Sequence, residues 1–141
     1  MSTTSVAIGD QDRPFEVGTN QAEIFCTLPH RRDEQGRPLT LQAYYGLFET
    51  TERLLGGPLR DFLFSALRAG AERDGLRVDF TAADVGRWMD APETEADEIA
   101  KPLNAMLAQL QAKANAEQER AKNGRAPLPE VGTAGLSTVE G

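Results

Sequence analysis

The sequence is poor in the residues on which most catalytic and metal chemistry depends. It has one cysteine, Cys26, and one histidine, His30, in 141 residues. A lone cysteine excludes an intramolecular disulfide and suits a reducing compartment. One of each cannot complete a zinc site built from histidine and cysteine ligands. Cys26 and His30 stand four apart, a spacing that shares a helix face, but Pro29 lies between them and no acid or third ligand is patterned beside them. Cys26 is therefore expected to be a small buried apolar residue and His30 a solvated loop residue. Glycines are present, yet "GDQDRPFEVG" and "LLGGPLR" lack the spacing and context of a phosphate-binding loop. Long apolar runs are missing as well. Nowhere do about 18 consecutive apolar residues occur, the number that a bilayer-spanning helix needs. The opening "MSTTSVAIGDQD" has neither the basic leader nor the apolar run of a signal peptide. These absences lead us to expect a cytoplasmic protein with no catalytic residues, no metal, no cofactor and no membrane partner.

What the chain has in quantity is acid. Its net charge is −7, which disfavours a surface that attracts phosphate backbones as a whole. The charge is unevenly placed. Residues 79–100 carry Asp79, Asp84, Asp90, Glu93, Glu95, Asp97 and Glu98 against Arg87 alone. Residues 101–125 carry Lys101, Lys113, Arg120, Lys122 and Arg125 against Glu117 and Glu119. Both stretches read as solvated faces. Glu93, Glu95, Asp97 and Glu98 lack the alternating spacing and turn glycine of a calcium loop and suit the start of a helix.

Periodicity organises the rest. Val6 and Ile8 alternate, "GDQD" breaks the run, and Phe15 and Val17 resume it, which predicts a β-hairpin. Pro14 confines its strand to an edge. Thr19 or Asn20 is expected to cap a short helix bearing Ala22, Phe25 and Cys26, which ends at Pro29. After the charged loop of residues 29–38, Thr40 is expected to cap a longer helix with Leu41, Tyr44, Tyr45, Phe48 and Leu55 on one face. "GGP" stops it, with Gly56 and Gly57 in the C-terminal turn and Pro58 opening the next helix. On that helix Leu59, Phe62, Leu63, Ala66, Leu67 and Gly70 form a stripe, and Phe64 lies off it, making the apolar arc unusually wide. Either the hairpin buries Phe64, or Phe64 waits for a partner. Thr81 and Asp84 have the spacing of a capping box, flanked by Phe80 and Val85 as a hydrophobic staple, with Val85, Trp88 and Met89 facing inward. Phe64 and Trp88 are the candidate partner-binding residues. Pro102 is expected to begin or kink a last helix carrying Ile99, Leu103, Met106, Leu107 and Leu110.

The expected fold is α+β and predominantly helical: an N-terminal hairpin packed on a small bundle of about five helices. Residues 1–4 form a loose start, residues 5–123 a single domain whose core ends near Leu110, and residues 124–141, with their prolines and glycines, a flexible tail.

The order of these elements, a start "VAIGDQDRPFEVG", a short helix, a longer helix, an apolar helix ending "AGAERDG", then "LRVDFTAADVGRWMD", resembles the tail assembly chaperones of long-tailed phages, prophages and gene-transfer particles. The resemblance spans residues 5–110. It implies a non-enzymatic protein of the bacterial host cytoplasm, absent from the mature particle, that binds the tape measure protein and helps recruit tail tube subunits, with self-association possible. The proline-bounded loop of residues 29–38 and the polar end after Leu110 depart from that pattern. The alternative is a small DNA-binding or regulatory adaptor with a helix-turn-helix-like segment at residues 80–100. "TAADVGRWM" resembles a first helix of such a unit, but its recognition helix would be the acidic "APETEADEIAK", which repels phosphates. No nucleic acid partner is expected.

Overall fold

A computed structural model of the chain describes residues 4–122. The tail expected at residues 124–141 and most of the loose start at residues 1–4 lie outside them. The chain divides into two compact units, Met1–Met106 and Leu107–Gly141.

The first unit opens with β1 (Ser5–Ile8) and β2 (Gln11–Pro14), antiparallel, with Val6 opposite Arg13 and Ile8 opposite Gln11. Gly9 and Asp10 turn the chain with φ of 63° and 67°. Two left-handed residues make the tight turn whose twist matches that of paired strands. The hairpin was expected, but with a second strand carrying Phe15 and Val17. Pairing begins directly after the two-residue turn instead, and β2 ends at Pro14, whose missing N–H lies on the outer edge of the hairpin. Phe15 and Val17 follow the strand and are buried. Thr4 belongs to the same structure, since its carbonyl accepts from the Phe15 N–H at 2.9 Å.

Helices make up the rest: α1 (Thr19–Cys26), a 3₁₀ turn (Pro29–Arg31), α2 (Leu41–Gly46), α3 (Thr51–Leu54), α4 (Gly57–Arg73), α5 (Ala82–Asp90) and α6 (Ala96–Lys122). The hairpin on a helical bundle is the expected α+β class, predominantly helical. Three boundaries differ. Gly18, at φ 130°, caps α1 in place of Thr19 or Asn20, because the chain enters that helix through a conformation open to glycine. The long helix after Thr40 is two short ones. Thr40 caps α2 by accepting from the Ala43 N–H, but Thr50 is extended and its hydroxyl accepts from the Arg53 N–H, starting α3 anew. Gly46 just upstream weakens any continuous helix. Finally, α6 starts at Ala96, so Pro102 lies inside it, where the missing N–H leaves the Glu98 carbonyl without its helical donor. Burial of the Pro102 ring offsets that loss.

The core centres on α4, which buries Phe62, Leu63, Ala66 and Leu67, and beyond them Phe64, Ala69 and Ala71. The wide apolar arc belongs to a central helix covered on more than one side. At Gly70 it meets the hairpin exit so closely that an added Cβ would stand 2.5 Å from the Phe15 Cα and N. There the Glu16 N–H donates to the Ala66 carbonyl at 3.0 Å, and Arg73 Nη1 donates to the Phe15 carbonyl at 3.1 Å. A polar knot also crosses the core: Gln21 Nε2 donates to Tyr44 Oη at 2.9 Å and to Ser65 Oγ at 3.0 Å. Burial drives the Tyr44 phenol far above its ordinary pKa, keeping it protonated as a hydrogen-bonding group.

Among the described residues Met106 is the last of the core, a turn before the expected Leu110. Of the second unit the structure describes residues 107–122, the remainder of α6. Leu107 and Leu110 are 50% and 40% exposed there, and Arg120 pairs with Glu117 at 3.1 Å.

Candidate functional site

The two residues singled out as partner contacts, Phe64 and Trp88, lie on one aromatic row. Phe80 joins them. Its ring stands 5.8 Å from that of Phe64, edge-on at 82°, and 5.8 Å from that of Trp88. Phe64 is 7% exposed, and Phe80 from the extended stretch before α5 packs edge-on against it. The hairpin contributes one layer further out, where the Arg13 guanidinium lies 5.2 Å from the Phe80 ring centre and 4.3 Å from that of Trp88. Phe64 is thus buried in the folded chain, with Phe80 as one of the groups packed on it. Arg13 also reaches Asp79 at 3.4 Å.

This row is positioned by α5. The Thr81 hydroxyl accepts from the Asp84 N–H at 3.1 Å and the Asp84 carboxylate accepts from the Thr81 N–H at 3.0 Å, the expected capping box. The hydrogen bond from the Thr81 N–H and the ion pair with Arg87 hold the Asp84 carboxyl below its usual range. Phe80 and Val85, the staple positions, are buried. Trp88 is half-buried, since the turn residue Gly9 packs on it and an added Cβ would come 2.7 Å from its indole. Grooves flank the row. One runs between the hairpin turn and the α5–α6 loop, with Trp88 beside Asp10, Asp12 and Glu93. The other runs between the 3₁₀ turn and the start of α5, lined by Leu28, Pro29, Phe64, Val78 and Phe80.

Sequence reasoning missed a second cluster. Asp61 of α4 is fully buried, and its Oδ2 accepts from Arg31 Nε at 2.7 Å and meets His30 Nε2 at 2.8 Å, while Arg60 Nε donates to Oδ1 at 3.1 Å. Burial pushes this carboxyl up, and the hydrogen bonds from His30, Arg31 and Arg60 outweigh it, leaving the pKa below the ordinary carboxylate value. His30 is therefore no free loop residue, although its side chain is 46% exposed. The cluster pins the 3₁₀ turn to the central helix. Cys26 is buried as expected, and burial raises its thiol pKa, the opposite of a reactive thiolate.

A third feature is an uncovered apolar segment. In α2 and α3 only Tyr44 and Leu54 are buried, whereas Leu41 is 57% exposed, Tyr45 43% and Leu55, just beyond α3, 59%. Leu41 and Tyr45 are four apart and share a helix face.

Among the described residues no group of three or more histidine, cysteine or carboxylate side chains is placed to hold a metal ion, and no helix is long and apolar enough to cross a membrane. No family model, curated protein or solved structure matches the chain.

Proposed function

We propose that this protein is a non-enzymatic, phage-type tail assembly chaperone that binds a tape measure protein and helps bring tail tube subunits to it in the host cytoplasm. The resemblance in element order suggests the role, and the observation that carries it is the apolar exposure on α2 and just past α3. Leu41, Tyr45 and Leu55 stand partly in solvent, whereas the neighbouring Tyr44 and Leu54 are buried. Such a face suits a protein that shields apolar helices of a partner before assembly.

Co-expression with the tape measure protein encoded beside it tests the reading. The long protein is expected to be soluble and to co-purify with the chaperone, and to aggregate without it. Equal solubility alone, with no complex, would falsify the proposal. The DNA-binding alternative finds no favourable observation: at the start of α6, where a recognition helix would begin, Glu95 and Asp97 are exposed and would face phosphates.

A further inference from the structure

Among the described residues β1 has no strand on its outer side, and main-chain groups there still find partners. The two-residue turn makes Ile8 and Gln11 a hydrogen-bonded pair and Val6 and Arg13 the next, so the main-chain groups of Ser5 and Ala7 point away from β2. α6 meets them with side chains. Glu98 Oε1 accepts from the Ala7 N–H at 2.9 Å, and Lys101 Nζ donates to the Ser5 carbonyl at 3.3 Å. The two side chains pair with each other at 2.8 Å and are 17% and 23% exposed.

An acceptor placed on Ala7 and a donor placed on Ser5 is what an added antiparallel strand would offer. A second β1 offers it in register. Pairing about a two-fold axis at Val6 sets each Ser5 against the other copy's Ala7, so that each Ala7 N–H donates to a Ser5 carbonyl. The opposite edge of the hairpin is blunted by Pro14. The occupant that fits the β1 edge is thus a second copy of this chain. We propose that Glu98 and Lys101 are a stopper on a self-complementary edge: they fill the groups through which two copies would pair β1 to β1, and keep the hairpin single. Displacing the first turns of α6 opens the edge. This inference stands independently of the chaperone reading.

Analytical ultracentrifugation of the full chain tests it. Glu98→Ala combined with Lys101→Ala is expected to self-associate at least tenfold more tightly than the parent. Adding Ala7→Pro, which removes an N–H facing away from β2, is expected to abolish that gain while leaving the internal ladder intact. A folded double variant that sediments like the parent overturns the proposal, and so does association that survives Ala7→Pro. Should the double variant lose its fold, Glu98→Ala alone, which frees the Ala7 N–H, is the deciding protein: association several-fold tighter than the parent supports the stopper, and unchanged sedimentation overturns it.

Discussion

Gly70 and Asp61, nine positions apart on α4, set the helix in place by opposite means, one by lacking a side chain and one by burying a charge. At Gly70 the new methyl of Gly70→Ala would strike backbone rather than a side chain that could swing aside. The expected loss is about 3 kcal/mol, the upper end for overpacking, read from chemical denaturation; an unchanged midpoint would mean that the hairpin does not cross α4 there. Asp61→Ala strands Arg31 and Arg60 beside an emptied acceptor and is expected to cost about 3–5 kcal/mol, as when one partner of a buried pair is removed. The pH dependence has a definite sign. The folded Asp61 pKa lies below the unfolded value of about 3.9, so the unfolded chain binds the proton first and stability rises with pH across that interval. The contribution is present above the unfolded value and disappears as pH falls through the folded one. Asp33, Asp74, Asp84 and Glu98 act in the same direction. Asp61→Asn should therefore flatten part of the melting-temperature profile below about pH 5, and a profile parallel to the parent's would show that Asp61 does not titrate with folding.

Among the elements, α5 shows where local pattern suffices. Thr81 and Asp84 are three residues apart and bond each other's main chain, so their roles are written within one turn. Thr81→Ala is expected to cost about 1 kcal/mol, measured by thermal melting, and a neutral result would remove the capping box from the account of α5. Trp88→Ala should cost less than the roughly 3–5 kcal/mol of a fully buried ring, because Trp88 is half-buried under Arg13 and Gly9. The stripe on α4 and the Thr40 cap were legible for the same reason of short range. The break between α2 and α3 was not, since Leu41 through Leu55 keep helical spacing and only the competition of Gly46 and the Thr50 hydroxyl divides them. Long-range polar contacts were also hidden. Arg31 meets Asp61 across 30 positions and Ala7 meets Glu98 across 91, and neither pairing leaves a periodic trace. Phe64 and Trp88 could be picked out as outliers on their helices, yet Phe80, which links them, looked like a staple alone.

At the scale of the whole molecule, acid content and apolar exposure point to different partners, and their placement separates them. Asp90, Glu93, Glu95 and Asp97 are exposed around the α5–α6 loop, so duplex DNA is expected to show no mobility shift at physiological salt, and a salt-sensitive shift at sub-micromolar protein would revive the adaptor reading. The apolar face lies elsewhere, on α2 and just past α3. Leu41 and Tyr45 are the large exposed apolar residues of α2, and Tyr45 touches the core edge-on, against the buried Tyr44 ring at 5.0 Å. Leu41→Ser with Tyr45→Ser should leave the melting temperature within about 4 °C of the parent, since exposed substitutions usually change stability by no more than about 0.5 kcal/mol each. If these residues anchor the tape measure protein, the same change should weaken capture by tenfold or more, the loss typical of truncating central apolar contacts in an interface. Stability and binding are thus expected to part company in one variant. A double variant that melts like the parent and still holds its partner at full strength would remove α2 from the interface and leave the exposure of Leu41 and Tyr45 without a function.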